Sequence, residues 1–232
     1  KNWRRVGRRV AAAAARMNLN TSNPAIKRIL SEVKKMMADP SPEFEAHPVE
    51  DNLFDWHFVL RGPAGTPFEG GLYHGRIILP SQYPHKPPEF MFLSPTGRFE
   101  VGKKICLSIS QHHPELWQPG WDIRTALIAI QSFMPTPGQG AIAALDYNED
   151  ERRKLAVKSR EASRTSLSKH DMLDLFVEYL DRPHDPPSTS AASPAASGPP
   201  PNAANQPAAD EAARVPVFTP PSPHSPHRSP AP

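Results

Sequence analysis

The stretch Phe54-Asp55-Trp56-His57-Phe58-Val59-Leu60-Arg61-Gly62-Pro63 decides the fold. Phe54, Trp56, Phe58 and Leu60 fall at every second position, with Asp55, His57 and Val59 between them, and a period of two marks a strand. Gly62-Pro63 and Gly65-Thr66-Pro67 break it with a turn-rich link. Beyond the link, Tyr73, Ile77 and Leu79 share one face of another strand, and Phe90 and Phe92 anchor a fourth, entered through Pro87-Pro88. Successive strands on short links predict a four-stranded antiparallel meander.

Helical spacing flanks the strands. Upstream, Ile26, Ile29, Leu30, Val33 and Met37 recur at helical intervals, and Lys27, Arg28, Lys34 and Lys35 fill the other faces. Asn23 is placed to cap this helix, Pro24 suits its first position, and Asp39-Pro40 ends it. Downstream, Leu93 to Trp121 shows no period. A segment this long without structure of its own is commonly functional. Ile123, Leu127, Ile130 and Met134 then restore a helix, with Asp122 at the capping position. Pro135 to Gly140 reads as a loop, Asp150 to Ala162 as an exposed charged helix, and Met172 to Leu180 as a short amphipathic one. The order of helix, strands, irregular segment and helices predicts an α+β domain.

Composition sets the boundaries. Of 30 prolines, 15 lie between Pro183 and Pro232 among Ser, Ala and Asn. Residues 183–232 are therefore expected to be a disordered tail, having too few large apolar groups to offset the entropy of ordering. Residues 1–19 read as an N-terminal extension. Lys1 to Arg9 holds five basic residues, and five alanines follow before Met17. That apolar run is too short for a signal peptide. Residues 20–182 remain as the folded domain. A net charge of +3 does not suggest a nucleic-acid partner. With a single cysteine the chain can form no internal disulfide and no cysteine-based zinc site.

That cysteine, Cys106, lies in Lys103-Lys104-Ile105-Cys106-Leu107-Ser108, inside the irregular stretch. Between Ile and Leu, the bland reading is a small buried hydrophobe. Its position outside any periodic run, and two neighbouring lysines that favour a thiolate, point instead to a nucleophile. No dedicated base accompanies it, as a hydrolase would need. His112, His113 and Glu115 do not converge as metal ligands, and no metal or cofactor is expected.

Three motifs carry a resemblance. Gly62-Pro63 through Gly65-Thr66-Pro67-Phe68-Glu69-Gly70-Gly71, Tyr83-Pro84-His85-Lys86-Pro87-Pro88, and Ile105-Cys106-Leu107 with Trp117-Gln118-Pro119 resemble the ubiquitin-conjugating (UBC) enzymes over about Asn20 to Ser163. Most members carry His-Pro-Asn before the cysteine. This chain has Ser94-Pro95-Thr96-Gly97-Arg98-Phe99, similar to the subfamily that acts at the endoplasmic reticulum, the J-type. That group often has an asparagine where Thr96 stands. The aspartate that many members place in the loop after the second helix is missing from Thr136-Pro137.

The resemblance implies a UBC fold and a ubiquitin-conjugating activity. Cys106 would hold ubiquitin as a thioester, with Thr96, Ser108, His112 and His113 as accessory groups. Backbone N–H groups of Leu107 and Ser108, or a side chain from Thr96 to Phe99, would meet the oxyanion. His112 or His113 would help hydroxyl acceptors as well as lysines. Lys27, Arg28, Lys34, His85 and Pro119 would meet partners: ubiquitin, the activating enzyme, a RING-type ligase and protein substrates. The implied setting is degradation at the cytosolic face of the endoplasmic reticulum. Anchored members reach the membrane through a C-terminal segment. This sequence ends in Ser-Pro repeats, as expected of a truncated or cytosolic form. The rivals are a non-catalytic UBC-like module that binds ubiquitin or a ligase, and a Pro-rich scaffold.

Overall fold

The structure is a computed structural model that describes residues 22–105, 117–138 and 140–183. The expected terminal extension, residues 1–19, and nearly all of the expected tail, residues 183–232, lie outside the described residues. The element order is α1 (Pro24–Ala38), β1 (Phe44–Val49), β2 (Asn52–Arg61), β3 (Leu72–Ile78), β4 (Glu89–Phe92), α2 (Ile123–Phe133), α3 (Glu149–Ser168) and α4 (Leu173–Leu180). The strands form one antiparallel sheet in the order β1-β2-β3-β4, as the α+β meander reading expects.

The capping expectations hold. Asn23 accepts the Ala25 N–H at 2.8 Å with Pro24 behind it, and Asp122 accepts the Thr125 N–H at 3.0 Å. Each cap satisfies a donor that the first helical turn leaves free. Ile123, Leu127, Ile130 and Met134 are all buried. β1 had no legible pattern, because Phe44-Glu45-Ala46-His47-Pro48-Val49 contains a proline. Its place at the sheet edge explains why that proline is tolerated.

Two expectations change. β2 is buried on both faces, with His57 and Val59 as enclosed as Trp56 and Phe58. The expected exposed helix at Asp150 to Ala162 runs to Ser168 and has a buried stripe of Ala156, Ser159, Ser163 and Leu167. The cause is a gap in the sheet. β4 pairs only with Gly75 to Ile78, and Leu93 N–H just beyond it reaches His74 O at 2.8 Å, so the Leu72 N–H and carbonyl and the His74 N–H have no strand partner on that side among the described residues. Serines of α3 take that place. Ser159 Oγ accepts the Leu72 N–H at 2.8 Å, and Ser163 Oγ accepts the His74 N–H at 2.9 Å and donates to Leu72 O at 2.7 Å. Small hydroxyl side chains let the helix approach closely enough to satisfy the strand.

Candidate active site

The segment after β4 is shaped by its own side chains. Thr96 is fully buried, and its Oγ1 accepts the N–H groups of Arg98 at 3.0 Å and Phe99 at 2.9 Å. The turn this makes needs Gly97 at φ 74°, a conformation glycine adopts without steric cost. The Thr96 hydroxyl is therefore committed to the turn and is not turned toward solvent. Phe99 stacks on Phe92 at 5.3 Å between ring centroids. Further on, Gly102 N–H donates to Phe92 O at 2.8 Å and Ile105 N–H to Phe90 O at 2.9 Å. Buried Ile105 thus pins the chain to β4 one residue before Cys106. Cys106, Ser108, His112 and His113 lie outside the described residues.

A second segment, Ala141 to Tyr147, runs beside the first. Glu100 N–H donates to Ala143 O at 2.9 Å, Leu145 N–H to Arg98 O at 2.8 Å and Tyr147 N–H to Gly97 O at 3.3 Å. Ala143 is held at φ 63°, which costs a non-glycine residue about 1–2 kcal/mol. The paired backbones hold it there.

Arg98 joins these segments to the loop after α2. Its side chain is buried; Nε donates to Thr136 O at 2.8 Å and Nη2 to Pro137 O at 3.2 Å. The guanidinium stands 4.7 Å from the Phe99 ring centroid. Nη1 is buried and has no hydrogen-bond partner among the described residues, a state that costs about 1–3 kcal/mol. Burial pushes the Arg98 pKa down from its ordinary value; Asp146 opposes that shift and Arg152 adds to it.

The loop itself carries no aspartate, as its sequence shows, but Asp146 sets a carboxylate against it. Its Oδ1 accepts the Gly138 N–H at 3.0 Å, and Arg152 Nη2 lies 3.8 Å from the same oxygen. The side chain remains 62% exposed, so the carboxylate is open to water while one oxygen is fixed. The sequence alone did not show that this side chain, eight residues beyond Gly138, returns to the loop.

The residues expected to meet partners separate into two kinds. Lys27 and Lys34 are exposed on α1. Arg28 is not a free cation: its Nε donates to Glu32 Oε1 at 2.6 Å and its Nη2 to Trp121 O at 2.8 Å. Glu32, buried on the apolar face of α1, also accepts the Tyr83 hydroxyl at 2.6 Å and the Ile123 N–H at 3.0 Å. Burial and the Glu32 charge push the Tyr83 hydroxyl pKa well above its usual value. His85 and Pro119 are exposed, and the structure brings their loops together. Trp117 Nε1 donates to Pro84 O at 2.7 Å, and its ring meets Trp121 edge-on at 5.7 Å. Both tryptophans thus pack where these loops meet.

Among the described residues, no group of three His, Cys, Asp or Glu side chains is arranged to hold a metal, and no helix is long and apolar enough to cross a membrane. Comparison with known proteins adds the family. The Ubiquitin-conjugating enzyme family profile matches residues 28–162. The chain is 61% identical over 163 residues to ubiquitin-conjugating enzyme E2 32 of Arabidopsis thaliana, covering 69% of this chain and 53% of that protein. It is 59% identical over 142 residues to human ubiquitin-conjugating enzyme E2 J1, covering 61% and 44%, and 38% identical over 135 residues to human E2 J2, covering 58% and 52%. The chain spans about half the length of the curated relatives it matches. With this fold, these motifs and this match, the chain belongs to the ubiquitin-conjugating enzyme family and groups with its J-type members.

Proposed function

We propose that this chain accepts ubiquitin as a thioester on Cys106 and passes it, with a RING-type ligase, to protein substrates in endoplasmic-reticulum-associated degradation. The observation that carries the proposal is the place of the only cysteine. It follows Ile105, which is fixed to β4, within the residues that match the family. In the first transfer, the Cys106 thiolate attacks the thioester carbonyl on the activating enzyme; a new sulfur–carbon bond forms and the activating enzyme's cysteine leaves as thiolate. In the second, an acceptor amine attacks the same carbonyl, Cys106 leaves as thiolate, and the amine gives up a proton.

Asp146 supports lysine as acceptor. A free lysine is almost wholly protonated near neutrality and must be positioned and relieved of a proton before it attacks. A fixed, exposed carboxylate beside the Thr136 to Gly138 loop suits that task. His112 and His113 remain the proposed aids to hydroxyl acceptors. Lys27 and Lys34 would steer the activating enzyme and ligase electrostatically, while the joined His85 and Pro119 loops would offer the contact surface.

The test is the full chain with ubiquitin, activating enzyme and ATP on a non-reducing gel. An adduct that thiol removes, lost in Cys106→Ser or replaced there by a thiol-resistant ester, is the expected result. A thiol-sensitive adduct surviving in Cys106→Ser would overturn the assignment. The rival non-catalytic module predicts no adduct at all.

A further inference from the structure

We infer that Arg98 is a positioning residue for discharge: its buried guanidinium sets the loop at Thr136 to Gly138, on which the Asp146 carboxylate is held. The inference rests on the reading of Cys106 as ubiquitin acceptor. Its ground is a clamp closed from two sides. On one side, Arg98 grips two successive carbonyls, of Thr136 and Pro137, through Nε and Nη2. On the other, Asp146 accepts the next N–H, from Gly138. Three consecutive residues are thus fixed by two side chains of opposite charge.

The same Arg98 belongs to the segment that leads to Cys106. Its N–H is held by Thr96 and its carbonyl by Leu145. One residue therefore relates the approach to the cysteine, the Ala141 to Tyr147 segment and the loop. A planar fork with several donors in fixed directions can do this; a lysine, with one point charge, holds a single carbonyl well. The grip is kept even though Nη1 has no hydrogen-bond partner among the described residues and the cation is buried. A merely apolar filler would avoid both costs, which argues that the fork geometry itself is what is used.

Gly138 offers an independent handle. A Cβ there would lie 2.8 Å from Asp146 Oδ2, 2.9 Å from Oδ1 and 3.0 Å from Ala144 Cβ. Gly138→Ala must therefore separate the loop from Asp146 while leaving Arg98 untouched.

The experiment charges the full-length parent, Arg98→Met, Arg98→Lys and Gly138→Ala with ubiquitin. ATP is then removed, and loss of the thioester is followed over a series of free lysine concentrations. Arg98→Met should charge within about twofold of the parent yet discharge about tenfold more slowly at saturating lysine, because a small misplacement of a reacting group carries such a penalty. The half-saturating lysine concentration should stay unchanged, a split that general loosening of the fold would not give. Arg98→Lys should fall between, and Gly138→Ala should lose discharge while keeping charging. Parental discharge by Arg98→Met with a parental melting curve overturns the inference, as does an equal loss of charging and discharge. If Arg98→Met does not fold, parental discharge by Gly138→Ala overturns it instead. A parent that never charges refutes the proposed function itself, a distinct result.

Discussion

The two faces of the sheet are built from different materials. One face carries Phe44, Ala46, Trp56, Phe58, Leu60, Tyr73, Ile77, Phe90 and Phe92, all buried, and Arg124 of α2 reaches over it to within 5.6 Å of the Phe44 ring. The other carries Glu45, His47, His57 and His74, equally buried, beneath α3 and α4. There His57 Nδ1 meets His74 Nε2 at 2.8 Å, His74 Nδ1 meets Ser166 Oγ at 2.8 Å, His47 Nε2 meets Glu45 Oε1 at 2.8 Å, and His47 packs edge-on against Phe176 of α4. Equal burial thus rests on dispersion and apolar area on one face, and on matched hydrogen bonds on the other. The first should be insensitive to pH and the second strongly dependent on it.

The largest effect should come from the apolar face. Phe58 is buried against Phe92, with ring centroids 5.5 Å apart, and Phe58→Ala should cost about 3–5 kcal/mol by denaturant unfolding at pH 7. The loss should be nearly the same at pH 6 and pH 8.

Acid should act on the histidine face. Burial holds the His57 pKa down at about 4, helped by His170 and Arg76 and opposed by Asp55. Burial with His57 and His170 holds His74 at about 2. Both lie below the usual 6.5, so the unfolded chain takes up protons first. Stability should fall as pH drops through about 6.5 and keep falling toward the folded values, costing about 2 kcal/mol for each histidine by pH 5. His74→Gln should make that decline shallower by about one proton. An unchanged slope would break the comparison between the faces.

Ser163→Ala tests how the histidine face is closed. It removes a hydroxyl that serves both Leu72 O and the His74 N–H, although Ser94 Oγ still accepts that N–H at 2.9 Å. The expected cost is about 1–2 kcal/mol. The smallest effect belongs to Arg76, which pairs with Asp55 at the half-exposed rim. Arg76→Met should change stability by less than about 1 kcal/mol. It should also ease the depression of the His57 pKa, measurable by NMR titration of that ring.

Legibility in the sequence follows the same division. The apolar face announces itself, because Phe54 to Leu60 and Tyr73 to Leu79 alternate and the helices covering it keep helical spacing. The opposite face does not, since a histidine or glutamate in a strand looks like a solvent-facing residue until its partner is known. The serines of α3 mislead in the same way: Ser159 falls in the stretch expected to be exposed, and only the strand backbone beside Ser159 and Ser163 gives them a buried role. At the site, the local motifs were legible as motifs. The grip of Arg98 was not, because the carbonyls it holds lie 38 and 39 residues further along.

Glu32 leaves its neighbours little room to move independently. Three elements could each slide against the others: α1 through Arg28, the proline-rich loop through Tyr83, and the start of α2 through the Ile123 amide. All three are referenced to two oxygens of one carboxylate. Bodies that share a single origin lose their separate coordinates. A displacement of the Tyr83 loop must be taken up either by breaking a short bond to a buried charge or by carrying the α2 terminus with it. In degrees of freedom, one acidic side chain turns three adjustable joints into a single rigid corner.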